Sequence, residues 1–90
     1  MKVTFGEEGL GKSWQKEFSP TTECCRCSGK ARIAFVAHEG MSKGDKKGPF
    51  LSGLHPNEGK EGGYWLHDAC AVAVYLCRDC LEPTALYNQG

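Results

Sequence analysis

Residues 24–38 read CCRCSGKARIAFVAH and residues 70–80 read CAVAVYLCRDC. Each couples a Cys-x2-Cys turn to an apolar run: Cys24 and Cys27 precede the first run, and Cys77 and Cys80 follow the second. A Cys-x2-Cys turn suits a thiophilic cation, because its two sulfurs converge on one ion while backbone N–H groups of the turn offset their negative charge. Two such turns complete the tetrahedral four-cysteine shell of a closed, structural zinc site. In the first run Ile33, Phe35 and Ala37 alternate with Arg32, Ala34, Val36 and His38, which is the period of a strand. Residues 71–76 admit two periods. A strand puts Val72, Val74 and Leu76 on one side and Ala71, Ala73 and Tyr75 on the other, whereas a helix aligns Cys70, Ala73, Val74 and Cys77. The Cys-x2-Cys turn directly after this run favours the strand.

On ECCRCSGKARIAF and AVAVYLCRDC the chain resembles the zinc-ribbon family, in which two zinc knuckles at the ends of β-hairpins grip one metal. The resemblance covers residues 23–38 and 64–81, 34 of the 90 residues. It implies a small metal-stabilised β fold, α+β at most: a zinc-ribbon-like antiparallel sheet with two knuckles and little helix. One structural Zn2+ would sit on Cys24, Cys27, Cys77 and Cys80. The chain departs from the pattern in two places. A small residue or Gly commonly follows a knuckle, as Ser28-Gly29 does and Leu81-Glu82 does not, and 49 residues separate Cys27 from Cys77.

A second constellation competes. Trp65-x-His67-x2-Cys70 is similar to the W-x-H-x2-C stretch of PHD-like and LIM-like treble-clef fingers, and would put Cys24, Cys27, His67 and Cys70 on one ion. Cys77 and Cys80 would then need partners from Cys25, His38 and His55. Cross-braced fingers use eight ligands in four pairs, and three pairs with scattered singletons fall short of that. The two-knuckle assignment therefore leads, with Cys25 as a spectator thiol, Cys70 as a small core residue and His67 as a turn residue. Paired four-cysteine turns also resemble rubredoxin, but the flanking residues lack that family's Pro- and Gly-containing knuckles.

Composition explains why a metal is wanted. Hydrophobic residues make up 40% of the 90, yet that share includes seven Ala and six Cys, and Val, Ile, Leu and Phe together number 16. Burial must offset backbone ordering of roughly 1–2 kcal/mol per residue, twelve Gly raise that cost, and small domains commonly meet it with a staple. Eleven basic and eleven acidic residues cancel, which excludes a global pull toward nucleic acid or anionic lipid. No apolar run approaches the ~20 residues of a membrane span, and MKVTFGEEGLGK lacks the apolar stretch of a signal peptide. The expectation is a cytoplasmic monomer in a reducing setting, where paired cysteines more often hold metal than form disulfides.

Elsewhere the chain predicts a short strand at residues 2–5 and one helical face carrying Trp14 and Phe18, stopped by Ser19-Pro20. Residues 39–63, with seven Gly, Pro49, Pro56 and four Lys, read as a long flexible insertion loop within a single domain spanning 1–90. Residues 6–13, GEEGLGKS, match the phosphate-loop pattern G-x4-G-K-[ST] letter for letter. Glu7 and Glu8 would place carboxylates inside an anion cradle, and too little chain remains for a wrapped parallel sheet, so this segment reads as a loop.

The function expected from these residues is a binding or scaffold module for a protein or nucleic-acid partner, not an enzyme. Lys43, Lys46, Lys47, Trp14, Phe50, Tyr64 and Trp65 are candidate contact residues for either partner, since interleaved Lys and aromatics can also bind a single strand. The alternative is thiol or metal redox chemistry, or electron transfer, with Cys25 or Cys70 as the reactive thiol.

Overall fold

The computed structural model describes residues 2–39 and 70–89. Most of the expected loop over 39–63 lies outside the described residues, as do His55, Trp65 and His67 and the candidate contacts Lys43, Lys46, Lys47, Phe50 and Tyr64. Among the described residues five strands form one antiparallel sheet: β1 (Lys2–Phe5), β2 (Thr21–Glu23), β3 (Lys30–His38), β4 (Cys70–Cys77) and β5 (Pro83–Gln89). The order is β1-β3-β4-β5, and β2 pairs with β3 beside β1. Thus β1 runs along the second half of β3, with Val3 opposite Ala37, and β2 along the first half, with Thr22 opposite Ala31. A 3-10 helix at Gly6–Gly9 is the one helical element among the described residues, so the metal-stabilised β fold class stands, and no described helix is long and apolar enough to cross a membrane.

Residues 70–77 are strand, as the adjacent cysteine turn suggests. The alternation read along β3 is corrected by a bulge. Ile33 lies opposite Tyr75 and Phe35 opposite Val74, leaving Ala34 as the extra residue. A bulge switches the side to which later residues point. Ala31, Ile33, Val36 and His38 therefore share one face, and Arg32, Phe35 and Ala37 share the other, which the uninterrupted alternation of Ile33, Phe35 and Ala37 did not foresee.

The first face is covered. Leu10 and Phe18 join Ala31, Val36, Ala71, Ala73, Tyr75 and Cys77 in one buried cluster, with Trp14 and Ile33 against it. The alanines of β3 and β4 leave room for these larger side chains, and the Tyr75 hydroxyl donates to the Ser19 carbonyl at 2.7 Å. The helix expected at residues 13–18 is absent. Ser13 Oγ accepts from the Gln15 N–H at 3.1 Å and donates to the Lys16 carbonyl at 2.7 Å, which takes the groups a helical turn would use. The Trp14 N–H goes instead to Asn88 Oδ1 on β5, and the Phe18 N–H to the Leu10 carbonyl.

Candidate metal centre

Each Cys-x2-Cys turn sits where the sheet reverses or begins. Residues 24–29 connect β2 to β3, and residues 78–82, directly after Cys77 at the end of β4, connect β4 to β5. The two turns repeat one hydrogen-bond pattern. Ser28 N–H donates to the Cys24 carbonyl at 3.1 Å and Leu81 N–H to the Cys77 carbonyl at 3.0 Å. Cys24 N–H donates to the Gly29 carbonyl at 2.8 Å and Cys77 N–H to the Glu82 carbonyl at 3.1 Å. The equivalent residues Ser28 and Leu81 both turn left-handed, with φ of 61° and 62°. Two knuckles of the same build thus face each other, although only one carries the small residues that mark such a turn in sequence.

The register of β3 and β4 places Ala31 opposite Cys77, which puts the two knuckles at the same end of the sheet. The Sγ atoms of Cys24, Cys27, Cys77 and Cys80 all lie within 4.8 Å of one another. Cys24 and Cys80 approach to 3.6 Å, and Cys27 and Cys77 to 3.5 Å. A tetrahedron with metal–sulfur bonds of about 2.3 Å has edges of about 3.8 Å, so these separations fit one ion. The arrangement is braced across the sheet. Cys25 N–H donates to Thr84 Oγ1 of β5 at 3.0 Å, and Arg78 N–H to the Lys30 carbonyl of β3 at 3.3 Å.

Electrostatics divide the four thiols into two kinds. The N–H groups of Cys27 and Arg26 point at Cys24 and bring its pKa down to about 6. Cys77 is lowered in the same way by the N–H groups of Cys80 and Asp79. Cys27 has the Gly29 N–H in its favour, but the sulfurs of Cys77 and Cys80, burial and Cys24 outweigh it and push the thiol up to about 12. Cys80 also goes up: the Glu82 N–H favours its thiolate, and burial with the neighbouring sulfurs of Cys24 and Cys77 prevails. Four thiolates this close repel one another, and a divalent cation among them removes the conflict. The donor set therefore suits a soft metal ion held by all four.

Glycine is required in the first knuckle by contact rather than by φ. A Cβ on Gly29 would lie 2.7 Å from Asp79 Oδ2 and 3.1 Å from Cys27 Sγ. Asp79 is exposed and can swing away, whereas Cys27 Sγ belongs to the site.

Among the remaining candidates, Cys25 is exposed with its Sγ turned to the Pro83 carbonyl at 3.5 Å, outside the cluster. Cys70 is buried at the far end of β4, where its Sγ meets the Tyr87 hydroxyl at 3.3 Å. His38 is buried against Thr4, Nε2 to Oγ1 at 3.1 Å, also at that far end. The segment resembling a phosphate loop is filled by its own structure: Gly6–Gly9 is helical, Lys12 N–H bonds the Gly9 carbonyl, and Ser13 Oγ is taken by Lys16. Sequence reasoning missed β2 and β5. The alternation in TALYNQ was the available signal for β5, and Pro83 is tolerated there because it opens an edge strand. Compared with known protein families, curated proteins and solved structures, the chain has no match, so the functional reading rests on the site's own geometry.

Proposed function

We propose that the chain is a small zinc-binding module in which one structural Zn2+ on Cys24, Cys27, Cys77 and Cys80 holds the sheet together and the surface does the binding. The observation that carries this reading is the convergence of the four sulfurs within 4.8 Å from two knuckles of the same build. Zinc is favoured because a tetrahedral thiolate set is its common structural environment, and four protein ligands leave no position for a reacting water. The module is then a binding or scaffold protein and not an enzyme, a monomer suited to the reducing cytoplasm where thiols stay free. Exposed Cys25, close to the site, is the feature among the described residues that favours thiol chemistry instead.

Metal analysis of the purified protein tests this. One zinc per chain is expected in wild type and in Cys70→Ser, His67→Ala and Cys25→Ser. Cys24→Ser and Cys77→Ser should lose it and unfold. Zinc loss in His67→Ala or Cys70→Ser would overturn the assignment, and a coloured iron protein would replace zinc with iron.

A further inference from the structure

The covered face of the sheet holds the core; the opposite face, the open one among the described residues, presents several large exposed side chains, while Ala37 and Cys70 toward its far end are buried. Cross-strand partners share a face, so the register arranges that face in rows. One row runs Phe5, Phe35, Val74, Ala85. A second, nearer the knuckles, runs Thr21, Arg32, Leu76, Pro83. A third, on the far side, runs Val3, Ala37, Val72, Tyr87. Phe5 is 75% exposed, Tyr87 54% and Leu76 46%, although each is an apolar or aromatic side chain on regular strand. Phe5 stands edge-on to Phe35, with ring centroids 6.3 Å apart, so one ring braces the other while its own face stays open.

Charge is graded along the same surface. Lys30 and Arg32 continue the open face toward the knuckles, and Arg78 follows beside them, its N–H on the Lys30 carbonyl. Glu23, opposite Lys30, is the carboxylate on these strands. Of the knuckle carboxylates, Glu82 is met by Arg26 at 3.8 Å and Asp79 lies over Gly29. Glu7 and Glu8 belong to the 3-10 helix on the covered side, where Gly9 meets Val36. The chain is neutral overall, but cations and exposed rings meet on one surface.

We propose that this open face binds single-stranded nucleic acid, with bases stacking on Phe5 and Tyr87 and phosphates on Arg32, Lys30 and Arg78. Every base has a π-face, so rings on separate strands give a platform indifferent to sequence, and adjacent cations track the backbone. A duplex would not reach the rings, because its bases are already stacked. The proposal rests on the reading of the chain as a zinc-held binding module and names the partner of that module.

The test is fluorescence anisotropy of fluorescein-labelled oligothymidylate and oligouridylate with the full zinc-loaded chain, with zinc content and sedimentation measured on the same samples. Binding that weakens with salt is expected. Phe5→Ala should weaken it about tenfold, in the range set by loss of one stacked base. Arg32→Ala should reduce the slope of log affinity against log salt by about 0.7, one phosphate contact to a single strand. Lys12→Ala, on the covered side, should change neither. Absence of binding in dilute salt by a zinc-loaded wild type overturns the proposal and leaves the zinc reading intact. Unaltered binding by both Phe5→Ala and Tyr87→Ala also overturns it. So does a dimer that Phe5→Ala dissolves, because the face would then belong to a second copy. A folded sample without zinc would sink the metal reading separately.

Discussion

Leu81 occupies the left-handed position of the second knuckle with its side chain 74% exposed. A side chain costs roughly 1–2 kcal/mol in that conformation and glycine does not. Since little packing would be lost, Leu81→Gly should stabilise the zinc-loaded protein by about 1 kcal/mol in urea unfolding. An unchanged or lower midpoint would mean that the exposed leucine does something the knuckle needs. Gly29→Ala is the opposite case. The new methyl can displace Asp79 cheaply but must push Cys27 Sγ, from which it would stand 3.1 Å. Zinc affinity should fall about tenfold, as for other disturbances just outside a ligand set, and a competition titration with a chromophoric chelator reads it. The two substitutions separate what a knuckle asks of φ from what it asks of space.

The 3-10 helix at Gly6–Gly9 shows how closely one element must approach another to cover this sheet. A Cβ on Gly9 would stand 2.8 Å from the Thr4 carbonyl oxygen and 3.1 Å from Val36 Cβ and Cγ2. Neither neighbour is the free end of a flexible side chain, so Gly9→Ala should cost about 1–3 kcal/mol, the usual penalty for overpacking. Thermal unfolding of the zinc-loaded variant checks this, and a wild-type midpoint would show that the helix rides loosely on β1 and β3. The same glycine is one of those that made residues 6–13 resemble a phosphate loop. Its contact with Val36 gives it a packing role instead. Likewise Trp14 and Phe18 were legible as apolar partners for the core, but their helix was not to be had, because Ser13 bonds its own neighbours and Asn88 takes the Trp14 N–H.

For the molecule as a whole, the buried apolar set is rich in small side chains, with Ala31, Ala37, Ala71, Ala73, Cys24, Cys70 and Cys77 among its members. Such a core removes modest apolar area from water, so the proposed zinc on the four cysteines would supply much of the folding free energy. The thiols set how this depends on pH. Cys24 and Cys77 are lowered, so as thiolates they stabilise the folded chain above the ordinary value of 9.0, a contribution lost as pH falls through their lowered values, about 6 for Cys24. Cys27 and Cys80 are raised and keep their protons in neutral solution, contributing below 9.0 and losing that contribution as pH rises through their raised values, about 12 for Cys27. Removing the metal with a chelator should abolish the cooperative melt. Returning zinc near neutral pH should restore it with release of close to four protons per ion, because the thiols of the unfolded, metal-free chain stay protonated below the ordinary value of 9.0. Release of about two protons at neutral pH, measured by calorimetry in buffers of different ionisation enthalpy, would mean that the metal-free chain keeps its knuckles folded with thiols already ionised.

The four-cysteine cluster and the two main strands were legible along the chain, because a Cys-x2-Cys turn carries its own geometry and β3 and β4 announce themselves by residue type within a few positions. What depended on partners distant in sequence was not. Ala34 becomes a bulge only against β4, and that bulge sends Val36 rather than Phe35 into the core. Cys70 and His38 were eligible ligands by residue type, and the antiparallel pairing carries them to the end of the sheet away from the knuckles. The open face with Phe5, Arg32 and Tyr87 gathers side chains from β1, β3 and β5, three segments that no local pattern connects. Local chemistry thus specified the four-cysteine cluster, and long-range strand pairing alone decided which side chains share the open face.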